Sequence, residues 1–253
     1  MKGSVYIVTG GSRGFGLAIA KSLVDKGARV GLLGRNQTGL DQAVAELGSD
    51  NAYGVVSDVA HREDIDAAFA DIKRHFGRLD GLVNNAGMAR PNAVENLVEA
   101  EVLMQVQTNF LGTVFCCQAA IPLLRGGENT RIINISSASA HHYDEMSHLS
   151  IYAATKAAVE RFSRDLRTEL QADNIGVTCL RPGAAWTSFA DGWDEKAITA
   201  GMEAWAHAGT YMDTGMDVQQ VGDAVVYALS QPRGVAVDLL EIRPNIPTPK
   251  AQF

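Results

Sequence analysis

The chain has 253 residues, 46% hydrophobic and 20% charged, which supplies a large core and excludes disordered, collagen-like and coiled-coil classes. Lysine and arginine number 22 against 29 aspartates and glutamates, and the net charge of -7 has the wrong sign for a phosphate-backbone binder. There is no polybasic patch for a membrane surface, so neither nucleic acid nor membrane is an expected partner.

The length suits one α/β domain spanning 1–253. Cys116, Cys117 and Cys179 have neither disulfide-framework nor zinc-ligand spacing, which points to a reducing cytoplasm and no metal site. Gly112 to Leu124 is the longest apolar stretch; Gln118 and Pro122 interrupt it, and it falls short of the roughly 18 residues of a membrane span. The apolar run Val5 to Val8 is too short for a signal peptide.

Taken in order, β-branched runs fall at Val5 to Val8, Val30 to Leu33, Ala52 to Val56, Gly81 to Val83, Arg131 to Ile135, Ile175 to Leu180 and Val235 to Ile242. Helix-length patterns lie between most of them, among them Gly16 to Lys26, Asp64 to Phe76, Tyr152 to Leu170 and Val218 to Leu229. The alternation predicts βαβ units: an α/β fold with one doubly wound parallel sheet (a Rossmann fold), helices on both faces and ligands at the carboxyl ends of the strands. Residues 184–216 break the rhythm with Trp186, Phe189, Trp193, Met202, Trp205, Tyr211, Met212 and Met216, and are expected to cover a pocket as a substrate lid.

After the first strand comes Thr9-Gly10-Gly11-Ser12-Arg13-Gly14-Phe15-Gly16, where bare glycines and a helix N-terminus can approach a pyrophosphate. The second strand ends Leu32-Leu33-Gly34-Arg35, where an NAD site would usually carry a carboxylate for the ribose hydroxyls. Arg35, aided by Arg13, instead suits a 2'-phosphate, which predicts NADP(H); two solvated surface arginines are the plainer reading. Tyr152 and Lys156, four apart, share one helix face, and a neighbouring cation favours the phenolate.

The phosphate loop, Asn84-Asn85-Ala86-Gly87, Ile135-Ser136-Ser137, the Tyr152/Lys156 pair, Asn109 and Arg181-Pro182-Gly183 with Thr187 together resemble the short-chain dehydrogenase/reductase family over nearly the whole chain. The resemblance implies that Ser137 hydrogen-bonds the substrate oxygen, Tyr152 is the acid/base, Lys156 holds the nicotinamide ribose and lowers the Tyr152 pKa, and Asn109 supports a proton relay. It further implies that Asp58 and Val59 meet the adenine, that Asn84 with the Ala86-Gly87 backbone lines the cofactor channel, and that Pro182, Gly183 and Thr187 contact the nicotinamide. Gly10, Ser12, Arg13, Gly14, Phe15 and Gly16 complete the expected cofactor set.

Two places depart from the family pattern. Ser137 precedes Tyr152 by fifteen positions, about two more than expected, and Ala140 stands where a glycine is common, so Ser139 is a rival for the catalytic serine. Glu241-Ile242-Arg243-Pro244-Asn245 replaces the family's common aspartate-glycine-glycine ending, which favours a homodimer built on long helices over a homotetramer. The apolar faces on offer are Leu103, Val106, Phe110 and Val114, with Phe162, Leu166 and Leu170; the same stripes could face the sheet. His141, His142 and His148 near Asp144 and Glu145 suit a polar loop better than a metal site. The expected activity is an NADP(H)-dependent interconversion of a ketone or aldehyde with an alcohol on an apolar or aromatic small molecule. The alternatives are a cofactor-binding regulator without turnover and, for a chain with a larger substrate domain, a sugar-nucleotide epimerase or dehydratase.

Overall fold

The computed structural model describes residues 1–141, 147–185, 187–208 and 215–245. Seven strands form one parallel sheet: β1 (Val5–Thr9), β2 (Arg29–Gly34), β3 (Ala52–Val56), β4 (Gly81–Asn84), β5 (Arg131–Ile135), β6 (Gly176–Pro182) and β7 (Leu239–Ile242). Their spatial order is β3-β2-β1-β4-β5-β6-β7, so the winding reverses between β1 and β4 and opens a crevice at the carboxyl ends there.

The sheet is apolar on both faces because each central strand alternates between two cores. Tyr6 and Val8 of β1 pack with Ile19 and Leu23 of α1 (Gly14–Asp25), Leu40 of α2 (Gln37–Leu47) and Val221 and Val225 of a late helix, Val218–Leu229. Val5 and Ile7 pack on the other side with Ile65, Phe69 and Ile72 of α3 (Arg62–Phe76). There they also meet Cys116 and Leu124 of the helix Gly112–Leu124 and Leu166 of the helix Ser150–Glu169. Ile7, Ile19, Ile72 and Leu32 are fully buried, each worth about 1.5–3 kcal/mol of transfer free energy.

Helix α3 starts with Glu63 and Asp64 in its first turn and ends with Lys73, Arg74 and His75, charges that complement its dipole; Gly77, at φ 78°, turns the chain out. After β4, α4 (Glu99–Val106) runs through a π turn (Gln107–Leu111) into α5 (Gly112–Leu124). Asn109, expected within a regular helix, therefore sits in the π turn, a local widening frequent at functional sites. The long helix α6 (Ser150–Glu169) follows β5. Between β6 and α8 (Val218–Leu229) lie a short turn at Ser188–Ala190 and α7 (Glu195–Ala208), with Ala185 and Met216 bridging the base of the insertion.

Strand boundaries match the expected runs to within two residues except at the C-terminus, where the expected Val235 to Ile242 is strand only from Leu239. The N–H of Val235 turns back to Pro232, and Val235 is half exposed; β7 is an edge strand whose register is set by pairing with β6 alone. Among the described residues no helix is long and apolar enough to cross a membrane.

Candidate active site

The site begins where β1 gives way to α1. Gly10 has φ 64°, and a Cβ placed on Gly16 would stand 2.1 Å from the Gly10 carbonyl oxygen, so both positions require glycine. The loop is held from below by Asn85, whose Nδ2 donates to the Thr9 carbonyl at 2.9 Å, and by the N–H groups of Asn85 and Ala86, which donate to Thr9 Oγ1. Helix α1 has no side-chain cap and no acidic residue in its first turn, leaving its N–H groups and positive dipole end for an anion. This cradle fits the pyrophosphate of a dinucleotide.

One cavity of about 970 Å³ runs over the carboxyl ends of the strands. Gly10, Ser12, Arg13, Gly14 and Phe15 border it, while Gly16 lies behind the turn. Arg35, Asp58, Val59, Ala86, Gly87, Pro182, Gly183 and Thr187 line it as well. Arg13 Nη1 donates to Asp191 at 2.8 Å, tying the glycine loop to the insertion, and Arg35 Nη1 stands 3.9 Å from Asp58 Oδ2. Asp58 also accepts the Ala60 N–H at 3.0 Å, the turn chemistry usual for aspartate.

Asn84 lies elsewhere. It is 4% exposed, donates to Asn134 Oδ1 at 2.8 Å and contacts Cys117 Sγ within the core, while its neighbour Asn85 borders the cavity. Asn84 is the last residue of β4 and points into the core, while Asn85, just past the strand end, turns to the crevice.

Ser137, Tyr152 and Lys156 meet in the same cavity. Burial pushes the Tyr152 phenol up to about 12, against the lowering influence of a hydrogen bond with Ser137. Burial also pulls Lys156 down to about 8. Lys156 Nζ donates to the Ile135 carbonyl at 2.8 Å and stands 5.8 Å from the centre of the Tyr152 ring. The hydrogen bond with Ser137 works in favour of Tyr152 ionisation.

Asn109 is fully buried and does not border the cavity. Its Oδ1 accepts the Met88 N–H at 2.8 Å, and its Nδ2 donates to the Met88 carbonyl and to Thr155 Oγ1. A Cβ on Gly87 would stand 3.3 Å from Lys156 Nζ and 3.5 Å from Asn109 Oδ1, which places all three around one point.

Behind the lysine, Ser136 Oγ bridges the Lys156 carbonyl and Glu160, and Arg181 pairs with both Glu160 and Glu241. Ser136, Glu160 and the clamp residues Thr9 and Asn85 carry no local signature of these roles in the sequence. The β6–β7 pairing brings Arg181 beside Glu241, and the packing of α6 on β6 brings it to Glu160.

Above the site, Phe189 lies 5.3 Å from the Tyr152 ring and Trp193 packs edge-on against Phe189. Trp205 is 3% exposed and its Nε1 donates to the Ser147 carbonyl, while Met202 is 45% exposed. Met216 joins the core below the sheet's edge rather than the cavity. Trp186, Tyr211 and Met212, and of the polar loop His142, Tyr143, Asp144 and Glu145, lie outside the described residues. Among the described residues no group of histidine, cysteine or acidic side chains is arranged to hold a metal.

The sequence profile of the short chain dehydrogenase family matches residues 4–197. An uncharacterized oxidoreductase of Staphylococcus aureus (strain N315) is 32% identical over 240 residues, covering 95% of this chain and 96% of its own. Among solved structures, a 3-ketoacyl-(acyl-carrier-protein) reductase from Brucella melitensis complexed with NADH superposes with TM-score 0.84 at 26% identity, covering 96% of this chain and 98% of that one. The closed form of a serine dehydrogenase complexed with NADP+ gives TM-score 0.82 at 29% identity, covering 94% of each chain. With its parallel sheet, glycine-lined crevice and matching profile, this chain belongs to the short chain dehydrogenase family of oxidoreductases.

Proposed function

We propose that the protein is an NADP(H)-dependent oxidoreductase interconverting a ketone or aldehyde with an alcohol, with Tyr152 as acid/base. The observation that carries this reading is the meeting of a buried Tyr152 phenol, hydrogen-bonded to Ser137, with Lys156 in the cavity that the glycine loop borders. A nicotinamide dinucleotide in that crevice supplies or accepts the hydride. During reduction the Tyr152 hydroxyl gives its proton to the substrate oxygen, and the Ser137 hydroxyl donates a fixed hydrogen bond to the same oxygen as charge builds there. Lys156 supplies a cation beside the phenol and, by its place across from Gly87, a donor for the nicotinamide ribose. Asn109, next to Lys156 across Gly87, serves the proton path behind them.

The cofactor assignment rests on Arg13 and Arg35. Both border the cavity and face carboxylates, Asp191 and Asp58, and a phosphate dianion is a stronger partner for either. The relatives named above hold NADP+ in one case and NADH in the other, and by name act on serine and on a 3-ketoacyl group. A hydroxyl or carbonyl carbon is the common feature. Asp58 and Val59 take the adenine end, and Pro182, Gly183 and Thr187 the nicotinamide end.

Residues 184–216 act as the lid, with Phe189, Trp193 and Trp205 supplying apolar walls for an apolar or aromatic substrate. Self-association through α4, α5 and α6 belongs to the same reading. Leu166 and Leu170 face the core, but Leu103 and Met104 are exposed and the Phe110–Phe162 pair is only partly buried, leaving an apolar outer face. The three cysteines are all free thiols, in keeping with a cytoplasmic location. NADPH oxidation followed at 340 nm across ketones and aldehydes tests the assignment. Turnover is expected for the wild type and a loss of at least about 10²-fold for Tyr152→Phe; appreciable activity in that variant removes Tyr152 from the mechanism.

A further inference from the structure

We propose that the substrate carries a carboxylate and that Arg90 receives it, an inference that rests on the oxidoreductase reading above and narrows its substrate to an oxo acid or hydroxy acid. Arg90 lies beyond β4 and borders the same cavity as Tyr152, with its side chain 22% exposed. It is held from behind. Its N–H donates to Gln105 Oε1 at 3.1 Å, itself 1% exposed, and its Nη1 donates to the Ala89 carbonyl at 2.9 Å.

A guanidinium has five N–H donors, and that carbonyl takes one. The carboxylate facing it, Glu101, stands 3.7 Å from Nε, close enough to orient the charge but too far for a hydrogen bond. Gly192 of the insertion closes over the other side, its Cβ position 3.5 Å from Arg90 Nη2. The next residue, Trp193, also borders the cavity, and its buried indole N–H has no acceptor among the described residues.

Arg90 N–H groups without a hydrogen bond and the Trp193 indole N–H thus border one cavity, which Phe189, Trp205 and Leu149 also line. A neutral ketone would give the Arg90 guanidinium no anion beyond Glu101 and the buried Trp193 N–H only a weak acceptor. A carboxylate presents two oxygens with about four acceptor sites and suits the planar fork of arginine. The carboxylate takes no part in the redox step. In reduction a C–H bond of the reduced nicotinamide would break as its hydride bonds the carbonyl carbon, the C=O π pair moves to oxygen, the Tyr152 O–H proton bonds that oxygen, and the oxidised cofactor and a Tyr152 phenolate, reprotonated from water, remain.

Full-length protein with NADPH is to be assayed on benzoylformate and on its methyl ester, which share one ketone and differ in charge. Arg90→Met is expected to lower kcat/KM for the acid by about 10²-fold or more, chiefly through KM, and to leave the ester within about threefold. If Arg90→Met does not fold, Arg90→Lys keeps the charge without the fork and is expected to lose about tenfold on the acid alone. An equal fall on acid and ester, or wild type reducing the ester and not the acid, overturns the proposal while leaving the oxidoreductase reading intact. Inertness towards all carbonyls, neutral ones included, defeats that reading instead. Calorimetry of benzoate binding to the NADP(H)-saturated protein then decides for Arg90: binding lost in Arg90→Met supports it, and binding unchanged or absent in wild type rejects it.

Discussion

The Ser139 hydroxyl donates to the Ser137 hydroxyl at 2.9 Å, and the Ser139 N–H approaches the same oxygen at 3.2 Å. The two candidate serines therefore belong to one chain of hydrogen bonds, but the link to the Tyr152 phenol runs through Ser137. Ser137→Ala is expected to lower kcat by about 10²–10³-fold, the cost of losing a donor to a developing oxyanion. Ser139→Ala removes only support for that donor and is expected to stay within tenfold. Steady-state kinetics on both variants check the assignment, and the reverse order of losses transfers the role to Ser139.

Burial of Lys156 sets a pH dependence of stability. Its pKa falls from 10.5 in the open chain to about 8 in the fold, so between these values the unfolded chain binds the extra proton and stability rises with pH. Below pH 8 the penalty is fully present, on the order of 3 kcal/mol. Lys156→Met, which keeps the stem and drops the charge, is expected to raise the unfolding midpoint at pH 7 while abolishing turnover, with the gain fading towards pH 10.5. Thermal melts of both proteins from pH 7 to 10 test this, and equal midpoints at pH 7 refute it.

Cofactor choice is expected to follow Arg35 and Arg13. Replacing either by alanine removes a charge-assisted hydrogen bond worth about 1.5–3 kcal/mol, which predicts roughly 10- to 100-fold lower kcat/KM with NADPH and little change with NADH. Paired kinetics with the two cofactors measure it. A wild type that prefers NADH, or variants that lose both cofactors alike, would count against the two arginines.

Arg181 neutralises Glu160 and Glu241 with its side chain 12% exposed. Arg181→Met takes the guanidinium from the half-buried Glu160 carboxylate behind the Lys156 turn, and the expected cost is about 3 kcal/mol, roughly 10 °C in Tm for a chain of this size. Calorimetric scans of the two proteins give the comparison; a change below about 2 °C means that the pair contributes nothing net.

The strands were legible because a parallel sheet covered on both faces needs nearly continuous apolar runs, and Val5–Thr9, buried along its whole length, is such a run. Val235 to Asp238 looked the same and is not strand: the Val235 N–H turns back to Pro232, and pairing with β6 begins only at Leu239. The π turn at Asn109 had no signature, because it depends on the Met88 backbone arriving from another segment.

The sequence by itself determined the sheet and the glycine loop, since each rests on local conformational preference or on the period of one helix or strand, while the Tyr152, Lys156 and Ser137 triplet was legible only through the resemblance to a family. The tertiary structure alone decided which asparagine of Asn84-Asn85 turns to the crevice, what Lys156 and Arg181 bond to, and that Arg90 and Trp193 share a wall. Those are contacts between segments far apart in the chain, and nothing in a residue's sequence neighbours records which distant group the packing will bring against it.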